Sequence, residues 1–84
     1  MAEYRLVFKG SVAKDLRSVP RKDLDRILRI KRLAVEPRPP GCEKLVGEER
    51  YRIRQGIYRI IYTINDNEVC VAVVKVAHRR EAYR

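Results

Sequence analysis

The sequence predicts an α+β fold in which a helical hairpin packs on one face of a four-stranded, mainly antiparallel sheet, in the order β-α-α-β-β-β. Two neighbouring stretches between residues 11 and 35 carry apolar side chains at helical spacing. Four shorter stretches are rich in branched and aromatic residues, and prolines, glycines and asparagines separate them. At 84 residues the chain forms one domain, residues 1–84.

The first half of the chain contains one predicted strand and both helices. Residues 4–8 form the strand, and a short helix follows and ends near Ser18, because Val19 precedes a proline. Pro20 then opens the longest helix, residues 21–35, whose apolar stripe includes Leu28 and Val35. The charged face of this helix mixes acids with bases, so we interpret it as solvated surface.

The second half contains the other three strands. A polar approach, residues 43–50, leads into a hairpin over residues 51–64. With Gln55 and Gly56 as its loop, Arg52 lies opposite Arg59. Residues 68–76 form a nearly continuous apolar strand, which is typical of a central position in a sheet.

Period-two alternation places Arg52, Arg54 and Arg59 on one face of the hairpin and its aromatic and branched residues on the other. Like charges opposite one another destabilise a sheet, so a fold that accepts them is expected to receive a polyanion. Guanidinium groups suit phosphate because they bind it through two parallel hydrogen bonds. A merely solvated basic face is the alternative.

The composition of the chain indicates which class of partner it binds and in which compartment it is found. The formal net charge of +9 favours nucleic acid or an acidic protein as partner. No apolar run is long enough for a membrane span. Residues 1–5 do not resemble a signal peptide, because no apolar h-region follows them, so we expect a cytoplasmic protein. Cys42 and Cys70 do not have zinc-motif spacing, and we interpret both as reduced thiols.

The chemistry that these residues allow is limited. Neither a glycine-rich phosphate loop, a nucleophilic triad nor a metal cluster can be assembled from the sequence, and no cofactor is expected. RNA carries its own nucleophile, the 2′-OH. A protein that aligns it with the adjacent phosphorus, neutralises the developing charge and moves protons can therefore cleave RNA without a metal.

Two segments resemble the RelE/ParE toxin superfamily of type II toxin-antitoxin systems. They are the hairpin, residues 51–62, and the ending His-Arg-Arg-Glu-Ala-Tyr-Arg, residues 78–84. In the RelE branch the resemblance implies a ribosome-dependent endonuclease that cuts messenger RNA in the ribosomal A site. It also implies a RelB-like antitoxin that holds the toxin inactive in a hetero-oligomeric complex.

The resemblance also implies roles for individual residues. Arg59 and Arg79 match arginines that bind the scissile phosphate, and Tyr83 matches a C-terminal tyrosine that stacks on or orients a nucleotide. Arg52 and Arg54 fall where relatives place basic hairpin residues. The candidate catalytic residues are Arg52, Arg54, Arg59, His78, Arg79 and Tyr83, and the candidate RNA-binding residues are Arg50, Arg80 and Arg84.

One departure from the family concerns the general base. At the position of Arg54 the family has a lysine that is proposed as the general base, and an arginine cannot take that role because it does not give up its proton near neutral pH. The base is then His78, a group of the ribosome, or absent. Two further readings stay open: a non-enzymatic inhibitor of DNA gyrase, as in the ParE branch, and an inactive relative that only binds nucleic acid.

Overall fold

The computed structural model describes residues 3–47 and 49–78. It has the predicted α+β architecture, with a helical hairpin packed against one face of a sheet. None of its described helices is long and apolar enough to cross a membrane. In chain order the elements are β1 (Arg5–Phe8), α1 (Gly10–Arg17), α2 (Arg21–Leu28), a 3-10 helix (Arg29–Ala34), β2 (Glu43–Lys44), β3 (Tyr51–Gln55), β4 (Tyr58–Asn65) and β5 (Cys70–His78).

The sheet has five strands in the order β1-β5-β4-β3-β2, one more than predicted. The additional strand, β2, consists of Glu43 and Lys44 and pairs antiparallel with β3. Two charged residues show no apolar alternation, so no local pattern predicts a strand there. β1 runs parallel to β5, and β5 lies between β1 and β4, as expected of the apolar strand.

The hairpin of β3 and β4 turns one residue later than predicted. Its loop is Gly56 and Ile57, and Gly56 has φ +62°, which suits the first central position of a two-residue hairpin loop. Arg54 therefore lies opposite Arg59, whereas the sequence placed Arg52 there. Because the pairing shifts by two residues, every side chain keeps its predicted face of the sheet.

The predicted long helix changes its geometry part-way along. It is α-helical only as far as Leu28, and a 3-10 helix continues it. Ile27, Ile30 and Leu33 recur at every third position and are 1%, 2% and 1% exposed. A helix with three residues per turn keeps such positions on one side, facing the core. Leu28 and Val35, both assigned to the apolar stripe, are instead exposed.

The core lies between the helices and one face of the sheet. The helices contribute Val12 and the three-residue series just described, and the central strands contribute the other large side chains. Burial of these apolar surfaces is the main force that holds the helical hairpin on the sheet. The sheet residues in this cluster are Tyr58, Ile60, Tyr62, Val71, Val73 and Val76.

The proline-rich segment after the 3-10 helix is held against the sheet by polar contacts. The buried Tyr62 hydroxyl donates to the carbonyl oxygen of Pro37 at 2.7 Å. Arg38 forms an ion pair with Asp66, in the turn between β4 and β5, at 3.0 Å. The Tyr4 hydroxyl donates to the same carboxylate at 2.7 Å. Three segments that are distant in sequence therefore meet at Asp66.

These contacts predict acid sensitivity. Hydrogen bonds from Arg38 and Tyr4 hold the pKa of Asp66 below its usual value. A carboxyl whose pKa is lower in the folded state stabilises the fold above its unfolded pKa, near 4, and loses that contribution as pH falls through the folded pKa. We expect Asp66→Asn to melt below wild type at pH 7, and the gap to close at pH values under about 4.

Thermal melting between pH 2 and pH 7 measures this effect. Asp25→Asn, on the exposed side of α2, serves as the charge-matched control. A melting-temperature gap between wild type and Asp66→Asn that is the same at both ends of the range contradicts the prediction.

Candidate nucleic-acid interface

Three arginines share the sheet face that lies away from the helices. We call Arg52, Arg54 and Arg59 the basic face. Its orientation follows from β4, where Tyr58 is buried towards the helices and its hydroxyl donates to Asp23 of α2 at 3.1 Å. Neighbouring residues of a strand point to opposite faces, so Arg59 points away from α2. Strand pairing then places Arg54 beside it.

Arg59 lies at the centre of this arrangement. It is 7% exposed and is the one charged side chain classed as buried within residues 3–47 and 49–78. Arg54, directly across the strand pair, is exposed. Like charges opposite one another on a strand pair are unfavourable, and their combined positive field attracts anions. This part of the sheet is therefore suited to a phosphate.

A carboxylate also lies on the basic face. Glu43 of β2 is directly opposite Arg52 of β3, and its Oε2 lies 2.5 Å from an Arg52 Nη atom. The hydrogen bond from Arg52 is the main reason that the pKa of Glu43 is below its usual value, and the charges of Arg54 and Arg59 add to it. Sequence reasoning missed Glu43, because it assigned residues 43–50 to a polar approach without a strand.

An open groove of about 870 Å³ adjoins the basic face. One wall is the 3-10 helix with the proline-rich segment, and the other is β2 with β3. Its lining includes Arg29 and Arg32 from the 3-10 helix and Arg52 and Arg54 from β3, together with the carboxylates of Glu36 and Glu43. Apolar side chains at its floor and rim include Ile30, Leu33, Val35 and Ile53.

His78 lies on the other side of the sheet. It pairs with Tyr58 across β4 and β5, and the two rings meet edge to face with centroids 5.6 Å apart. Burial and the bond to Asp23 raise the pKa of Tyr58. The structure therefore brings His78 to the helix-packed face and not to the basic face. Its role in proton transfer stays a prediction, which this position does not favour.

The remaining predicted residues are less constrained. Arg50 is exposed and immediately precedes β3, at the approach to the basic face. Its role in binding RNA stays a prediction. Arg79, Arg80, Tyr83 and Arg84 lie outside the described residues.

Other chemistries find little support in residues 3–47 and 49–78. Over these ranges no three His, Cys, Asp or Glu side chains come together as a metal site. Cys42 and Cys70 are both free cysteines, and Cys70 is buried at the start of β5. Such burial is typical of a cysteine that acts as a small core residue.

Comparisons with known proteins cover nearly the whole chain. A family described as "ParE toxin of type II toxin-antitoxin system, parDE" matches residues 6–83. Toxin RelG of Mycobacterium tuberculosis is 27% identical over 96% of this chain and 97% of that protein.

Solved structures are similar as well. The archaeal RelE-RelB complex of Pyrococcus horikoshii includes a chain that is 32% identical, with a TM-score of 0.81 over 92% of this chain and 96% of that one. The isolated RelE toxin of E. coli is 27% identical, with a TM-score of 0.76 over 95% of this chain and 90% of that one.

Proposed function

Because this chain belongs to the RelE/ParE superfamily, and is therefore a toxin of a type II toxin-antitoxin system, we propose that it is a ribosome-dependent messenger RNA endonuclease. The observation that carries the proposal is the buried Arg59 facing Arg54 on the basic face. In the reaction an RNA 2′-OH attacks the adjacent phosphorus and the P–O5′ bond breaks. The 2′-oxygen loses its proton and the departing 5′-oxygen gains one, which leaves a 2′,3′-cyclic phosphate and a 5′-hydroxyl. The cut lies in the ribosomal A site and inhibits translation.

The basic face supplies electrostatic stabilisation. Charge builds on the phosphoryl oxygens in the transition state, and preorganised donors at that position lower the barrier. Arg59 is held by its burial, so its guanidinium loses little freedom when phosphate binds. Arg54 adds a second positive charge across the strand pair. In this proposal Arg79 and Tyr83 complete the site, binding the scissile phosphate and stacking on a nucleotide.

Proton transfer is the part that the basic face supports least. Arginines keep their protons near neutral pH. Glu43 is a weak base, because Arg52 holds its pKa low. His78 lies on the helix-packed face of the sheet, opposite the basic face. We therefore assign the acceptor of the 2′-OH proton to a group of the ribosome, which agrees with an activity that requires the ribosome.

The proposed partner of the toxin is a RelB-like antitoxin. Similar toxins are found in complex with RelB in the P. horikoshii and E. coli structures. The net charge of +9 makes an acidic toxin-binding segment a good match, and such a segment would cover the basic face. We place the complex, a hetero-oligomer, in the cytoplasm with the ribosomes.

Induced expression without antitoxin tests the proposed activity. We expect growth arrest accompanied by cuts inside translated codons, mapped by primer extension on an abundant transcript. A transcript whose start codon has been destroyed is the matched control and should stay whole, because it does not enter the A site. Intact messenger RNA during growth arrest contradicts the proposal.

A second function, inhibition of DNA gyrase without catalysis, is favoured by one observation: the matching family is that of the ParE toxins. Supercoiling by purified gyrase separates the two. Inhibition at stoichiometric toxin, with messages left whole, supports the gyrase reading. Unimpaired supercoiling at a large excess of toxin rejects it.

A further inference from the structure

Glu43 lies on the basic face and not merely beside it. Directly opposite residues of an antiparallel strand pair project to the same side of the sheet. Because β2 pairs Glu43 with Arg52, the carboxylate shares the side of the three arginines. The 2.5 Å separation of Oε2 and Nη2 shows that the two groups are in direct contact.

A carboxylate and a phosphate present the same features to a guanidinium. Each offers a pair of negatively charged oxygens to the fork of N–H donors. Glu43 occupies Nη2 of Arg52, so a phosphate that binds across both Nη groups competes with it. The pair is also accessible to an incoming ligand, since the Arg52 side chain is 28% exposed and that of Glu43 is 60% exposed. Exposed pairs of this kind are weak and open readily.

We propose that Glu43 is an internal occupant of the basic face, which competes with RNA phosphate for Arg52, so that Arg52 contributes little to RNA binding while Glu43 holds it. The inference rests on the proposed function, because it takes an RNA phosphate as the ligand of this face. Glu43 therefore weakens RNA binding, although its carboxylate is in direct contact with Arg52 of the basic face.

Affinity for a short 2′-O-methyl RNA oligonucleotide, which has no free 2′-OH to react, tests the proposal. Glu43→Gln keeps the size of the side chain and removes its charge. It should bind the oligonucleotide about two- to fivefold more tightly, which is the strength of an exposed ion pair. The plot of log affinity against log salt should also steepen by about 0.7, since one more phosphate contact releases a counterion.

Two comparisons separate this effect from a change in net charge. Glu49→Gln adds the same charge, but Glu49 is 92% exposed and pairs loosely with Lys44 at 3.8 Å, so its effect should be smaller and its salt slope unchanged. Arg52→Gln should cost little affinity in the wild-type chain, where Glu43 already engages Arg52. In the Glu43→Gln chain the same change should cost more.

The opposite result is equally clear. If Glu43 positions Arg52 for RNA, then Glu43→Gln weakens binding and Arg52→Gln adds no further loss, and the proposal is wrong. Equal effects of Glu43→Gln and Glu49→Gln also reject it. Arg54→Gln reports on the proposed function separately. If Arg54→Gln binds the oligonucleotide as tightly as wild type, the basic face is not the RNA site. If Arg54→Gln binds it more weakly while Glu43→Gln binds it as wild type does, the RNA site stands and only the proposed role of Glu43 is wrong.

Discussion

Replacement of Arg59 by alanine should abolish growth arrest and lower the rate of message cleavage by about 10²- to 10³-fold, the loss typical of removing one preorganised donor at a developing charge. The reason is position: Arg59 is the buried guanidinium of the basic face, with Arg54 across the strand pair. Cleavage of a programmed ribosome complex by purified toxin measures the rate. Arg59→Lys, which keeps the charge but not the fork of donors, should fall between wild type and alanine.

The control for this experiment has to separate charge and folding from catalysis. Arg17→Ala removes one charge from the exposed end of α1 and should cleave as wild type does. Because Arg59 is buried, its alanine variant also needs a thermal melt and co-purification with antitoxin to show that it folds. A folded Arg59→Ala protein that cuts at the wild-type rate would remove Arg59 from the mechanism.

Replacement of Tyr62 by alanine should lower the free energy of unfolding by about 3–5 kcal/mol. Tyr62 is 0% exposed, stacks on Tyr51 with ring centroids 5.8 Å apart, and donates to Pro37. Small domains have only about 5–15 kcal/mol in all, so this variant should be largely unfolded when warmed. Chemical denaturation followed by circular dichroism measures the loss.

Two phenylalanine variants separate the contribution of the Tyr62 hydroxyl to stability from that of its ring. Tyr62→Phe keeps the ring but leaves the Pro37 carbonyl without its donor, at a cost of about 1–3 kcal/mol. Tyr51→Phe removes a half-buried hydroxyl that lies 3.4 Å from Arg38, and should change stability by less than about 0.5 kcal/mol. Equal losses in the two variants would mean that the bond from Tyr62 to Pro37 does not hold the proline-rich segment.

The fold was largely predictable because its signals are local. Side chains of β3 and β4 alternate at period two, and a register error of two residues leaves every one of them on the correct face. What local patterns miss is pairing between segments. β2 consists of two charged residues and is a strand because it pairs with β3, so no pattern within Glu43–Lys44 predicts it. The switch to a 3-10 helix after Leu28 had no distinct signal, because apolar residues three apart, such as Ile27 and Ile30, suit an α-helix as well.

The candidate site was predictable in part for the same reason. Arg52, Arg54 and Arg59 could be grouped from alternation alone, within one hairpin. The side taken by His78 depends on its register against Tyr58, which no short-range pattern specifies. Glu43 escaped notice because its importance comes only from the strand that it faces.

The place of β5 in the sheet has a consequence for synthesis of the toxin. Among the residues that the structure describes, β5 is the last strand along the chain, yet it separates β1 from β4. In a nascent chain that has emerged only as far as the turn at Asp66, β1 lacks the strand that pairs with it and places it in the sheet beside β4. Contacts of such long sequence separation form slowly. The five-stranded sheet can therefore close only after β5 has left the ribosome.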